Sequence, residues 1–439
     1  MLRCLDRGMA TDTIIIGGGL AGLNCARVLH AVGREFVLLE ASDRCGGRVR
    51  TDRVDTNDGT YLVDRGFQVL LTAYPHAAEA FDYDALDLCC FYPGALVFHD
   101  GNLHRVADPR RKPGDALRGF RTPIATMRDK LRLAEFSLRV LAGPVENVWE
   151  RPNLRSIDAL REAGFDQATI DRFFRPFFGG VFFDPALDTS SRMLEFVFRM
   201  FAQGRVCVPA GGMGRLPEQI EAGLPAGAVR TGASVDRLER SGGGWTVHAG
   251  GERWDAGSVV IAAEGDSTRR LLDRHADLEA PAVTWRSTAT ISYAVDTPPT
   301  KDPILVLDGE SEGPVNHLAT MSAVSGEYAP RGRHLVYANV IDPDVLASLP
   351  DDAALDAACR PQLRRWFGDE MDGARMIHVD RIDRALPNQS IERSAIPRWP
   401  VRVGEGLYAC GDWLENASID GALSSGKRCA EAVLGDTPA

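Results

Sequence analysis

Residues 13–40 constrain this chain more than any other segment. Thr13, Ile14, Ile15 and Ile16 form a short β-branched run that stops at once on Gly17, Gly18 and Gly19. From 20 to 32 the pattern turns helical, with Leu20, Leu23, Val28 and Leu29 recurring among small residues and Gly33 marking the stop. Phe36, Val37, Leu38 and Leu39 then predict a second buried strand that ends on Glu40. This strand–turn–helix–strand order is a βαβ unit. Gly17, Gly19 and Gly22 fill the three positions of G-x-G-x-x-G. The first glycine allows the tight turn, the second lets a pyrophosphate reach the backbone, and the third lets helix and strand pack closely. Free N–H groups at the helix start, on Leu20, Ala21 and Gly22, share the positive end of the helix dipole with the phosphates. Glu40 stands about 20 residues on, where an acid accepts hydrogen bonds from a ribose hydroxyl. A glycine turn is usually only a turn, and a lone acid after a strand is usually solvated. Strand, helix and acid at the right distance together specify a dinucleotide site.

Composition narrows the classes around that unit. A chain of 439 residues, 44% hydrophobic, is long enough for two domains. Its net charge of −11 excludes non-specific attraction to nucleic acid. Nine cysteines are scattered without a C-x-x-C pair, so neither a zinc site nor a disulfide framework is expected, and no metal. They read as small buried fillers in a reducing cytoplasm; adjacent Cys89 and Cys90 would be redox-active only where a thiolate is favoured. No apolar stretch reaches the roughly 18 residues of a membrane-spanning helix. The first ten residues lack the apolar core of a secretory signal, so a cytoplasmic location is expected. Residues 1–8 read as a dispensable extension or a misassigned start.

Directly after Glu40 comes Ala41-Ser42-Asp43-Arg44-Cys45-Gly46-Gly47-Arg48. Here the chain resembles the flavin amine oxidase superfamily, which includes phytoene desaturases and protoporphyrinogen oxidases. The resemblance implies FAD, bound non-covalently, since no cysteine lies at 385–391 where some members attach it. It places Arg44 and Arg48 along the pyrophosphate, where a guanidinium fork pairs with phosphate oxygens, and lets Gly47 pass close to the flavin, beside Ala41. Asp64-Arg65-Gly66-Phe67-Gln68 resembles the strand whose backbone, at Gly66 and Phe67, lies against the isoalloxazine. The segment 209–214 followed by Val235 is similar to the approach to the adenine. Gly411-Asp412, then Ile419, Gly421 and Ala422 in the run 417–427, look like the C-terminal flavin motif of plant-type desaturases. In that motif the acid meets the phosphate–ribityl region and the helix start faces the flavin N1/O2 edge.

The expected architecture is α/β: a Rossmann-type FAD-binding domain (11–75, 205–285 and 390–439) interleaved with a mixed sheet-and-helix substrate domain (76–204 and 286–389). The phenylalanine-rich stretch 173–185, with Phe196, Phe198 and Phe201, reads either as core or as the wall of a hydrophobic tunnel. Met127, Leu131, Ala134, Leu138 and Leu141 share one helical face beside Arg128, Lys130, Arg132 and Arg139. Such a helix packs on its own protein or lies on a membrane surface. Family amine oxidases commonly carry a strand lysine that holds a water at flavin N5. The matching strand, 287–293, has none, and Lys301 follows in a loop. That absence speaks against oxidation of simple amines, and the resemblance of the C-terminal motif implies hydride removal from a C–H bond of an apolar, isoprenoid-like substrate to flavin N5, with oxygen or a quinone as acceptor. An amine or amino-acid oxidase, a flavin isomerase or saturase, and a non-catalytic flavin-bearing protein are the alternatives. No side chain is identified as a catalytic acid or base.

Overall fold

The computed structural model describes residues 9–436 except 116–121, 274, 276, 277, 279 and 397. The opening run forms β1 (Met9–Ile16), helix α1 (Leu20–Ala31) follows, and β2 (Phe36–Leu39) pairs parallel to β1. The sheet runs β10 (Val229–Arg230), β2, β1, β13 (Glu252–Ile261), β12 (Gly244–Ala249), β11 (Val235–Ser241). β20 (Leu407–Ala409) also joins β13, and β19 (Arg402–Gly404) joins β20. β10, β2, β1, β13 and β20 are parallel. The centre of this sheet is covered on both faces, which is why its strands read as unbroken apolar runs: Ile14, Ile15, Val259, Val260 and Ile261 are all buried.

The final helix, α5 (Ile419–Asp436), returns to the beginning of the chain. Asn24 Nδ2 donates to the Leu423 carbonyl at 2.6 Å. A Cβ on Gly426 would lie 2.1 Å from the Ala21 carbonyl oxygen, so a side chain there would push the two helices apart.

A second sheet has the order β18 (Arg375–Pro387), β14 (Trp285–Val295), β17 (His334–Val340), β16 (His317–Thr320), β15 (Leu305–Asp308), β7 (Gly94–His99), β8 (Asn102–Ala107). Its pairings are antiparallel except β15 with β7. A hairpin, β3 (Thr51–Thr56) and β4 (Gly59–Asp64), lies in sequence between β2 of the first sheet and β7 of the second. Three short strands, β5 (Leu70–Leu71), β9 (Val206–Pro209) and β6 (Leu88–Cys90), make a small third sheet.

That third sheet holds a departure from the cysteine expectation. Cys90 and Cys207 are register partners on β6 and β9 and are joined by a disulfide closing 117 residues of chain. Linear spacing hides this, because antiparallel register brings together positions far apart in sequence. The free cysteines Cys25, Cys45, Cys359, Cys410 and Cys429 are buried. Reduction is expected to lower the urea midpoint by an amount equivalent to about 2–4 kcal/mol. Non-reducing peptide mapping checks the link; a free thiol at Cys207 in the native protein would refute it.

The phenylalanines pack on the core to different depths. Phe174, Phe178, Phe182 and Phe196 are buried core, whereas Phe173, Phe177, Phe198 and Phe201 are only half-buried. The chain enters helix α3 (Arg175–Phe182) through a π-helical stretch, Ile170–Phe174. Helix α2 (Met127–Leu141) packs its Phe136 edge-on against Phe198 of α4 (Ser191–Gln203), and buries Val140. Its apolar stripe does not pack on the protein: Met127, Leu131 and Leu138 are 53%, 71% and 75% exposed.

Candidate functional site

The glycine turn lies at the C-terminal end of β1, where ligands bind in open parallel sheets. Gly17 has φ of +109°, and a Cβ there would sit 2.7 Å from the Ala262 carbonyl oxygen. A Cβ on Gly22 would meet the Gly17 oxygen at 2.0 Å, so the third glycine closes helix onto turn. A Cβ on Gly19 would meet nothing within 4 Å. The site there is open. Helix α1 starts at Leu20 and Ala21 with no side-chain cap and no acid in its first turn, leaving its first N–H groups for an anion.

Glu40 is held beside this turn. One carboxylate oxygen accepts the Gly18 N–H at 2.6 Å and the other accepts the Ser42 N–H at 2.8 Å. The loop from exposed Ala41 to Arg48 folds back over the glycines: the Gly46 N–H donates to the Gly18 carbonyl at 2.8 Å, and Gly19 and Gly46 form a parallel bridge. Gly47 (φ +60°) follows, its missing Cβ only 3.3 Å from the Gly19 Cα. Arg44 pairs with Asp52, and its buried Nε has no protein partner. Arg48 donates to Asp412 at 2.7 Å and to the Ala385 carbonyl at 3.1 Å, joining the two ends of the chain. Cys45 is no nucleophile at neutral pH, because burial pushes its thiol up to about 12.

The C-terminal motif arrives on β20. The Gly411 N–H donates to Ser425 of α5 at 3.0 Å, fixing Asp412 beside Arg48. Ile419 opens α5; the Gly421 N–H donates to Ser418 Oγ at 3.0 Å and the Ala422 N–H to the Ser418 carbonyl at 3.0 Å. A Cβ on Gly421 would strike the Asn416 carbonyl oxygen at 1.9 Å. Val235 stands farther off, at the start of β11. It is tied to the acid only through its neighbours: the Ala233 N–H donates to the Glu40 carbonyl at 2.8 Å.

The turn at Gly66 and Phe67 crosses the second sheet. The Gly66 N–H donates to Asp380 at 3.3 Å, the Phe67 N–H donates to Thr290 Oγ1 at 3.3 Å, and the Phe67 ring lies 5.1 Å from the His317 ring. Asp64 braces the turn from behind. It accepts the Thr51 hydroxyl, the Met213 N–H and the Tyr328 hydroxyl, and burial raises its carboxyl to about 6. Sequence reasoning missed Asp380, Thr290, Asn339 and His317. Polar residues within apolar strands were the available signal, but only strand register sets them in one row. Strand β14 has no lysine, and Lys301 is exposed beyond it.

An open space over Gly19, uncapped N–H groups at α1 and an orphaned Arg44 Nε fit a dinucleotide diphosphate. These features, with the sheet order, define a dinucleotide-binding α/β class. The comparisons refine it. The model of the flavin containing amine oxidoreductase family matches residues 20–434, and the chain belongs to that family. It is an FAD-dependent oxidoreductase. Among curated relatives, 15-cis-phytoene desaturase of Capsicum annuum is 23% identical over 478 residues, covering 97% of this chain and 78% of that protein. An oxidoreductase from Methanosarcina mazei shares the fold with a TM-score of 0.74 at 16% identity, covering 96% of this chain and 100% of that one. Cyclohexylamine oxidase of Brevibacterium oxydans does so at 0.71 and 16%, covering 97% and 99%.

Proposed function

We propose that this protein takes a hydride from a C–H bond of an apolar, isoprenoid-like substrate and passes it to flavin N5. The observation that carries this reading is the lysine-free strand β14, which sets Thr290, not an amine, against the Gly66–Phe67 turn. The similarity to phytoene desaturases along 97% of the chain supports it, as do the half-buried rings of Phe67, Phe91 and Phe177 near the second sheet. The amine-oxidase alternative keeps the same cofactor residues but lacks the strand lysine.

In this reading Gly17, Gly19, Leu20, Ala21 and Gly22 receive the diphosphate with Arg44, Gly47 and Arg48. Glu40 and Ala41 hold the adenosine ribose, and the Val235 backbone meets the adenine. Gly411 and Asp412 contact the phosphate–ribityl region, while Gly66, Phe67, Ile419, Gly421 and Ala422 surround the isoalloxazine. Segments 11–75, 205–285 and 390–439 form the cofactor unit, and 76–204 and 286–389 the substrate unit. Bound flavin, held non-covalently, supplies the two-electron acceptor. The chain's own part is to orient the substrate and exclude water.

The exposed stripe of α2, flanked by exposed Arg128 and Arg139, supports peripheral contact with an anionic membrane as the route by which such a substrate arrives. Among the described residues no helix is long and apolar enough to cross one. The test is anaerobic bleaching of the yellow protein against isoprenoids and amines, each offered in phosphatidylglycerol vesicles. Isoprenoids are expected to bleach it and amines not, with Leu131→Glu/Leu138→Glu slowing the reaction about tenfold. Bleaching by amines alone would overturn the reading.

A further inference from the structure

Asp380, Thr290, Asn339 and His317 are register partners across β18, β14, β17 and β16, so their side chains share one face of the second sheet. It is the face crossed by the Gly66–Phe67 turn. Two of the four, Asn339 and His317, are 1% and 3% exposed, and each keeps a side-chain nitrogen with no partner.

The network assigns what those nitrogens are. Thr290 Oγ1 accepts the Phe67 N–H and donates its own proton to Asn339 Oδ1 at 2.6 Å. The unpartnered atom of Asn339 is therefore its Nδ2 donor. Asn316 Nδ2 donates to the Pro176 carbonyl at 2.9 Å, which fixes that amide, and it also approaches His317 Nδ1 at 2.9 Å. His317 Nδ1 is then the acceptor and Nε2 carries the proton. Burial holds the ring neutral. Gly180 of α3 closes the other side; a Cβ there would come within 2.9 Å of His317 Nδ1. Two buried donors thus belong to register partners on one sheet face, and buried donors left unmatched are costly.

We propose that Asn339 and His317 anchor a hydrogen-bond-accepting oxygen of the substrate, a carbonyl on an otherwise apolar chain. This rests on the apolar reading and sharpens it. A pure hydrocarbon offers these donors nothing, and a protonated amine offers them only further donors.

Farnesal, farnesene and farnesylamine share one chain and differ in the polar group, so they serve as probes. Each is titrated anaerobically into the FAD-loaded protein, and perturbation of the flavin spectrum is read. Farnesal is expected to bind at least about tenfold more tightly than farnesene or farnesylamine. Asn339→Leu and His317→Leu are each expected to erase the gap, by weakening farnesal more than farnesene. Equal binding of farnesal and farnesene would overturn the anchor and leave the apolar reading intact. Preference for farnesylamine, or saturable binding by none of the three, would overturn both. The wild-type comparison decides the matter even where a leucine variant fails to retain flavin.

Discussion

Gly19→Val is expected to give a folded, colourless protein. The new side chain has open space in the polypeptide, since a Cβ there meets nothing within 4 Å. That space is the approach to the uncapped start of α1, where the cofactor's diphosphate would lie against bare backbone. Filling it is expected to weaken FAD binding about a hundredfold, or roughly 3 kcal/mol, with thermal unfolding of the apoprotein little changed. Gly22→Val is the contrasting case. Its Cβ collides with the Gly17 carbonyl at 2.0 Å and the Ala262 Cβ at 3.0 Å, so the βαβ unit itself cannot close. That variant is expected to lose soluble folded protein. FAD content by absorbance after desalting, beside circular dichroism, separates the two outcomes. A yellow Gly19→Val protein would remove the diphosphate from this turn.

The second large effect is on stability against pH. Burial lowers the His317 pKa from the ordinary 6.5 to about 3. Below pH 6.5 the unfolded chain takes up a proton at this ring and the folded protein does not, so the folded state loses ground as pH falls, until the folded ring titrates near 3. Each pH unit is worth about 1.4 kcal/mol, so His317 alone is expected to cost about 3–5 kcal/mol across that window. Asp64 and Asp308, both raised to about 6 by burial, act in the opposite sense. Their stabilising share is complete below pH 4 and declines as pH rises towards 6. A wild-type curve alone therefore mixes signs, and the clean quantity is the difference between wild type and His317→Leu. Urea unfolding at pH 7.5, 5.5 and 4.5 is expected to show the variant gaining on the wild type as pH falls. Curves that stay parallel would mean that the ring is solvated.

Much of the cofactor side was legible in the residues themselves. The strand over 36–39 and the helix beginning at 20 fall where periodicity puts them, because each is a local pattern of apolar spacing. The 13-residue β18 was not legible: half-exposed, its Arg, His and Asp residues break the apolar alternation that marks a strand. The phenylalanine-rich stretch was ambiguous for a related reason, since an aromatic run reads the same whether its rings fill a core or face a cavity.

The sequence by itself determined the opening unit. Glycines at 17, 19 and 22 between a β-branched strand and a helix, with Glu40 closing the next strand, leave the backbone few alternatives, because every element of that signal lies within thirty or so residues. Tertiary structure alone decided what depends on distant partners. The Cys90–Cys207 link, the Arg48–Asp412 pair and the row of Asp380, Thr290, Asn339 and His317 join positions far apart in the chain. Register between strands sets each of them, and a shift of one residue would turn those side chains to the other face.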